Sequence, residues 1–554
     1  MAEPSADTAV LSDLARNVFG FELRPSQLRA ASTVHSGRDT LAVLPTGSGK
    51  SAIYQVAGLA LGGLTVVVSP LIALQRDQLR ALTALRRGDG SPVRAVLLNS
   101  TQRSAQRAGA LSALRSDDLD FLMVGPEQLV NAETHQRLLG SARPVTLVVV
   151  DEAHLVSEWG HDFRPEYLSL PDTIAAIGRP PVLALTATAA PPVQADITRQ
   201  LQMREPEVVV ADFDRPNIDL AVRRTRNNLS EAQAIDDRTV EVVLEHDTPA
   251  LVYALTHARC ESVADRLKLD ALRAAPYHGG MPAAQRSEIQ DQFFSGKLDV
   301  VVATSAFGMG IDKPDVRTVI HAGVPGSLDE YYQEIGRAGR DGQPAHAVLV
   351  YDPRTVRIPR LLAARSRIPA SAVHAVVDAL EAAERRVTVK QLVESTKLNR
   401  RTVERVVDEL LELGVLEPDG NDAVSRPRRL PSDAGDRVSA AGNRRQSIIA
   451  SRIDAARRYA ESVHCRRAEL LGYFGEHYDP PCEKCDNDRA STHEHPHSTR
   501  VAALDDHAVR VRHRLWGMGT LLSRDEHELV VAFDSVGYRH LTAAALKNGI
   551  LTLA

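Results

Sequence analysis

VTLVVVDEAHLVSEWGHDFRPEY, Val145 to Tyr167, is the stretch from which the rest of the chain can be read. Its first six residues are apolar apart from one threonine and show no alternation. That is the pattern of a strand buried on both faces, as in a parallel sheet. Asp151 and Glu152 stand at its carboxyl end, where paired carboxylates can hold Mg²⁺ and polarise a water for phosphoryl transfer. Behind them Trp159, His161, Phe163, Arg164 and Tyr167 crowd a short loop that also holds Gly160 and Pro165. Aromatic rings interleaved with a cation suit stacking on bases and contact with phosphates.

Working towards the N-terminus, LAVLPTGSGKS, Leu41 to Ser51, places a β-run ahead of a glycine-rich loop, with Lys50 and Ser51 opening a helix. Backbone N–H groups around Thr46, Gly47, Ser48 and Gly49 can cradle phosphates, Lys50 supplies a point charge, and Ser51 can ligate Mg²⁺. The strict phosphate-loop pattern begins with glycine, where this chain has Leu44. Lys50 with Ser51, and Asp151 with Glu152, are the two halves of a nucleotide site, more specific together than apart. The β-runs between them, Thr65 to Pro70, Ala95 to Ser100 and Phe121 to Leu129, alternate with helical stretches. That order gives a doubly wound parallel sheet with its working loops at the carboxyl ends of the strands. Upstream, Phe21, Arg24 and Gln27 surround a proline turn. They can be read as a base-recognising turn or as a helix cap.

From about Asp212 the strand and helix pattern begins again without a second phosphate loop. GMGIDKPDVR, Gly308 to Arg317, and YYQEIGRAGRDG, Tyr331 to Gly342, appear in its place. Arg337 and Arg340, three apart on a helix-like segment, are expected on one face. Arginines from a second unit can complete the charge on a γ-phosphate held by the first. The alternative is a solvated face.

Composition sets the outer bounds. The chain has 554 residues, 25% charged and 44% hydrophobic, which implies several cores in an ordinary globular mixture. A net charge of -5 excludes a uniformly basic coat, so any nucleic-acid site must be local. No apolar run approaches a membrane span and the N-terminus lacks signal-peptide character, so the expected compartment is the cytoplasm, with nucleoid association if the source is bacterial. Three of four cysteines fall late, at Cys465, Cys482 and Cys485, which points to a structural Zn²⁺ rather than disulfides. The fourth ligand is Asp488 or one of His493, His495 and His497; the alternative is a cluster that holds no metal. Cys260 reads as a core residue. Pro427 to Arg444 and Asp486 to Ser498 read as linkers. The tail after His507 alternates short strand-like runs with turns, as a small β-barrel would.

PTGSGKS, DEAH, LTATA, VVATSAFGMGIDKPDVR and YYQEIGRAGRDG follow in the order found in superfamily 2 helicases, and WGHDFRPEY resembles the aromatic-rich loop of the RecQ family. CRR-x-x-LL-x-YFGE with C-x-x-C is similar to that family's zinc module, and Val387 to Gly420 resembles a winged-helix module whose second helix meets a duplex. The resemblance implies two tandem RecA-like parallel-sheet domains at residues 1–207 and 208–355. It further implies a winged-helix-like module at 356–430, a zinc-binding module at 440–490 and a Tudor-like barrel at 500–554. It implies an ATP- and Mg²⁺-dependent DNA helicase moving 3′→5′, a monomer acting in repair or recombination. Single strands and 3′-tailed or branched duplexes are the expected partners, with a protein partner at the barrel and no membrane. The alternative is an ATPase that remodels nucleic acid without unwinding it.

By motif, Phe21, Arg24 and Gln27 fall to the adenine and Thr46 to Ser51, Gly310 and Asp312 to the nucleotide. Asp151 falls to Mg²⁺ and Glu152 to the attacking water. Gln333 and His154 couple sites, Arg337 and Arg340 act as finger and sensor, and His154, Trp159, His161, Phe163 and Arg164 fall to the nucleic acid. Four features depart from the family: a Phe21 to Arg24 stretch one residue short, Glu158 in place of Gln, Asp488 in place of a fourth Cys, and a winged-helix-like module ahead of the zinc module.

Overall fold

The computed structural model describes residues 6–70, 72–129, 131–157, 159, 167, 169–225, 229–307, 313–365, 367–419, 423–427, 429–490, 509–524 and 528–553. The apolar runs of the first 210 residues become one parallel sheet of seven strands. Its order is Ala95–Leu98, Phe121–Val124, Leu64–Val68, Val145–Val150, Val182–Thr186, Thr40–Val43, Glu207–Val210. Both faces are covered, as unbroken apolar strands require. Leu41 and Val43 enter one buried cluster, while Ala42 and Leu44 enter the other.

A second parallel sheet of six strands follows: Ala274–Tyr277, Val300–Ala303, Ala250–Ala254, Thr318–Ala322, Ala345–Tyr351, Ile218–Arg224. The two sheets are joined through Ala211 to Asn217, and this joint is braced from far along the chain. Phe213 N–H donates to Glu476 Oε2 (2.6 Å), and the Phe213 ring stacks on Phe474 at 4.8 Å. Arg467 donates to the carbonyls of Arg215 and Ile218.

Helices Ala370–Ala382, Val389–Thr396 and Arg400–Glu412 pack around a core of Leu392, Val403, Val406, Val407 and Leu410, with a three-stranded antiparallel sheet at Arg386–Thr388, Glu417–Pro418 and Ala423–Ser425. Thr388 and Asn399 cap the second and third helices with their side chains. The stretch read as a linker, Pro427 to Arg444, is instead largely the start of the long helix Ala434–Glu461. Arg437 and Arg444 face outward, whereas Val438, Ala441 and Ile448 supply a buried stripe that the polar composition concealed. Asp486–Ala490, also read as linker, is a short helix.

The tail forms a five-stranded antiparallel sheet in the order Gly537–Thr542, Glu528–Phe533, Gly517–Arg524, Arg510–His513, Leu551–Leu553. It seats on the long helix, where Tyr538 N–H donates to Ser451 Oγ at 3.0 Å. Among the described residues no helix is long and apolar enough to cross a membrane.

Candidate functional site

Strand Thr40–Val43 ends at Leu44, and the chain turns through Thr46 to Gly49 before helix Ser51–Leu61 begins. Gly47 sits at φ 76°, in the left-handed region that favours glycine. Lys50 donates to the Leu44 carbonyl at 3.3 Å, closing the loop. The buried hydroxyls of Thr46 and Ser48 have no hydrogen-bond partner, and helix Ser51–Leu61 has no side-chain cap. A cradle of unused donors at a helix N-terminus fits a polyphosphate.

Gln27 braces this loop from behind. Its Nε2 donates to the carbonyls of Ser48 (2.7 Å) and Gly49 (3.1 Å), while its Oε1 accepts from Arg24 N–H (2.8 Å). Arg24 is the N-cap of helix Pro25–His35, so the helix-cap reading of this turn is the one its hydrogen bonds display. Phe21 is half-buried, its ring 5.5 Å from that of Phe19.

Strand Val145–Val150 delivers Asp151 and Glu152 opposite the loop. Asp151 accepts from Ser69 Oγ (3.4 Å) and from Glu152 N–H (3.0 Å). Burial and the neighbouring Glu152 carboxylate push it up to about 7, against the pull of Lys50. Burial likewise lowers Lys50, with both carboxylates opposing and Arg340 reinforcing the shift. A divalent cation between these carboxylates and a bound phosphate would relieve that crowding. Glu152 is held at φ 50° and ψ 48°, a left-handed conformation costing roughly 1–3 kcal/mol for a side chain of this kind, and such strain gathers at working sites.

His154 lies within 3.0 Å of Thr186 Oγ1 and 3.4 Å of Glu152 Oε2. It is 1% exposed, which corrects its grouping with the strand-binding residues. It faces the carboxylates and has no surface to offer a nucleic acid. The threonine at the end of Val182–Thr186 is thus tied to the Glu152 carboxylate through one imidazole.

The second sheet closes the other side. Helix Leu328–Ile335 carries Gln333 and ends just before Gly336, where any Cβ would collide with Thr46 Oγ1. The Arg340 side chain runs along Gly47, 3.5 Å from where a Cβ there would lie. Arg337 and Arg340 are not on a helix face as expected: the helix has ended, and both stand in the turn that follows. Gly336 and Gly339 break the periodicity.

That turn is held by residues the sequence did not single out. Arg215, at the joint between the sheets, donates to the carbonyls of Gly336 (3.0 Å), Ala338 (2.7 Å) and Gly339 (3.2 Å), and Asn217 Nδ2 donates to Gly339 (2.8 Å) and Gln343 (2.9 Å). Gln78 donates to Ser51 Oγ at 3.1 Å, and Gln75 donates to the Ser69 carbonyl at 2.6 Å behind Asp151. No motif flags them, because each acts on a backbone or hydroxyl brought near only by folding.

Trp159 and Tyr167 were expected beside the strand-binding cation. Tyr167 is fully buried in the core. Trp159 is 7% exposed, its ring edge-on to Tyr538 of the terminal sheet at 5.9 Å. Glu158, His161, Phe163, Arg164, Gly310, Asp312, His493, His495 and His497 lie outside the described residues.

Away from the cleft, Cys465, Cys482, Cys485 and Asp488 converge with all their ligand atoms within 4.8 Å of one another. Asp488 Oδ2 accepts from Cys482 N–H (2.6 Å), and Asp488 N–H donates to Cys485 Sγ (3.4 Å). Three sulfurs and one carboxylate fit a tetrahedral zinc, and hydrogen bonds from Cys465 and Cys482 hold Cys485 towards thiolate.

Known proteins match this architecture in register. The model of DEAD/DEAH box helicases covers residues 24–197, that of the helicase conserved C-terminal domain 235–342, and that of RecQ zinc-binding 424–489. The "Probable ATP-dependent DNA helicase RecS" of Bacillus subtilis (strain 168) is 33% identical over 511 residues, covering 91% of this chain and 97% of its own length. The chain belongs to the RecQ family of ATP-dependent DNA helicases. "ATP-dependent DNA helicase RecQ" of Haemophilus influenzae is 33% identical over 473 residues, 85% of this chain, and this RecQ-family chain spans only 62% of that longer relative. In fold the chain also resembles the Mycobacterium smegmatis helicase Lhr bound to ssDNA and AMP-PNP, with a TM-score of 0.51 at 22% identity over 92% of this chain and 68% of that one.

Proposed function

We propose that ATP hydrolysis in the cleft between the two parallel sheets drives this chain 3′→5′ along one strand of a DNA duplex, in repair or recombination. The observation that carries it is Arg340 of the second unit lying along Gly47 of the phosphate loop, with Lys50, Asp151 and Glu152 facing the same space. The loop amides from Thr46 to Gly49 and Lys50 hold the phosphates. Ser51 and Asp151 would hold Mg²⁺, which would neutralise phosphate charge. Glu152, steadied by His154, orients the attacking water and takes its proton. Arg337 and Arg340 meet the charge that develops on the γ-phosphoryl group, and Gln333 reports its loss to the second unit. Phe21, Arg24 and Gln27 flank the adenine side, with Gly310 and Asp312 assigned to the nucleotide by motif alone.

Because the arginines and the loop belong to different units, hydrolysis alters the closure of the cleft, and repeated closure is translocation. Trp159 relays strand occupancy to Glu152 through the six residues between them, and His161, Phe163 and Arg164 contact the strand. A structural Zn²⁺ on Cys465, Cys482, Cys485 and Asp488 would hold the zinc module together, with Asp488 as the fourth ligand.

The test is strand displacement on matched duplexes with a 3′ or a 5′ single-stranded tail, run beside an RNA pair. Displacement of the 3′-tailed DNA alone is expected. DNA-stimulated hydrolysis with no displacement at any salt would leave an ATPase and reject the helicase.

A further inference from the structure

A train of contacts joins Trp159 to the helix that precedes the arginine turn, and it passes through the terminal sheet. The Trp159 main chain is tied to the first unit: its N–H donates to Ser157 Oγ (3.1 Å), which donates to Asp196 Oδ2 (2.7 Å) on helix Pro191–Gln200. Its ring meets Tyr538 edge-on, at 5.9 Å and 82°. Tyr538 lies nearly flat on Tyr473 at 5.2 Å and 29°. The Tyr473 hydroxyl donates to Asp329 Oδ2 at 2.6 Å, and Arg452 approaches the same oxygen at 3.4 Å. Asp329 sits in the first turn of Leu328–Ile335, the helix that carries Gln333.

Simple core filling would need only apolar side chains here. A carboxylate and a guanidinium, both almost fully buried, are costly to desolvate, and their hydrogen bonds point in fixed directions. Such groups orient neighbours rather than merely exclude water.

We propose that Tyr538 is a positioning residue of DNA-stimulated ATP turnover: it sets the attitude of Trp159 and links it, through Tyr473 and Asp329, to the helix that presents Gln333. The terminal sheet is then a working part of the motor. This rests on the role given to Trp159 above.

The test uses the full chain and measures steady-state ATP hydrolysis against rising single-stranded oligothymidylate. Tyr538→Ala should lower the DNA-stimulated kcat by about tenfold or more and leave the DNA-free rate within about twofold of wild type. Tyr538→Phe, which keeps the ring, should restore most of the stimulation. In the double variant with Trp159→Ala, the losses should not multiply, since the two rings act as one unit. Wild-type stimulation in Tyr538→Ala, or multiplying losses, overturns the proposal. Full stimulation in Trp159→Ala instead removes the role of Trp159 itself, so the two failures are distinct.

The chain has two tryptophans, and Trp516→Phe leaves Trp159 as the sole reporter. Its emission should be blue-shifted and should move to the red on adding Tyr538→Ala; an unmoved maximum also overturns the proposal. Should Tyr538→Ala fail to accumulate, Tyr473→Phe deletes one hydrogen bond with the ring intact. It should lower stimulation several-fold, and unchanged stimulation rejects the link.

Discussion

The two parallel sheets have the same topology and different work. Matched strand for strand, Ala274–Tyr277 corresponds to Ala95–Leu98, Thr318–Ala322 to Val145–Val150 and Ile218–Arg224 to Thr40–Val43, and the first sheet adds the edge strand Glu207–Val210. The helix after Thr40–Val43 starts with no side-chain cap, so its first N–H groups carry no side-chain partner, as a phosphate site would require. The helix after Ile218–Arg224, Glu231–Glu245, is closed by Ser230, whose hydroxyl accepts from Gln233 N–H. Asp151 and Glu152 follow one strand. The corresponding strand instead leads to a helix and the arginine turn. On the proposed mechanism a shared frame hosts donor and completer of a single site, and the difference lies in a few residues past the strand ends.

Lys50→Ala should break this asymmetry most severely, lowering DNA-stimulated ATP turnover by roughly 10³-fold or more. Turnover near wild type would mean that the second unit hydrolyses ATP by itself. Arg340→Ala should cost about 10²- to 10³-fold in kcat while nucleotide binding, followed by a fluorescent ATP analogue, changes little. A matching loss of binding would move Arg340 from completing the reaction to holding the ground state.

The next effect is on stability. Burial raises Glu334 to about 8, only partly opposed by Arg337, and burial lowers its partner His321, 2.7 Å away, to about 3. The bond between them at neutral pH therefore joins a protonated carboxyl to a neutral imidazole. The unfolded carboxyl releases its proton near 4.5. Between those values the native state binds more protons than the unfolded one, so stability falls as pH rises, by at most about 1.4 kcal/mol per pH unit for this group. His321, whose unfolded imidazole titrates near 6.5, contributes the opposite slope below that value and cancels it there, so Glu334→Gln should flatten the fall between about pH 6.5 and 8 in urea unfolding; an unaltered slope there would show that the proton sits elsewhere. Smallest is Ser230→Ala, expected to cost about 1 kcal/mol of stability with ATP turnover untouched. Lost turnover would show that the second helix end is more than a closed copy of the first.

Residues whose chemistry is intrinsic were legible from sequence. A glycine loop followed by Lys50-Ser51, carboxylates at the end of an apolar run and clustered cysteines need only local pattern, and they fall where expected. The strands followed from unbroken β-branched runs. Arg215 and Asn217 were not legible, because they hold carbonyls more than a hundred positions away and many surface polar residues look the same. The helix Ala434–Glu461 was hidden by its arginines, and the position of Arg337 and Arg340 by two glycines inside an apparent helical repeat. Trp159 misled for a further reason: an aromatic beside a cation suggests an open surface, and its cover, Tyr538, comes from the opposite end of the chain.

The cysteine module also pairs, backbone to backbone, with the second sheet at Leu220 and Cys485, and this pairing covers an edge. Ile218–Arg224 is the outermost strand of the second sheet, and its free margin is taken up by the cysteine module: Leu220 N–H donates to the Lys484 carbonyl at 3.0 Å and Val222 N–H to Asp486 Oδ2 at 2.9 Å. An uncovered β-margin is a template for a strand from a neighbouring chain. Unfolding of the cysteine module would bare that margin and expose the chain to aggregation through a strand edge remote in sequence from the phosphate loop.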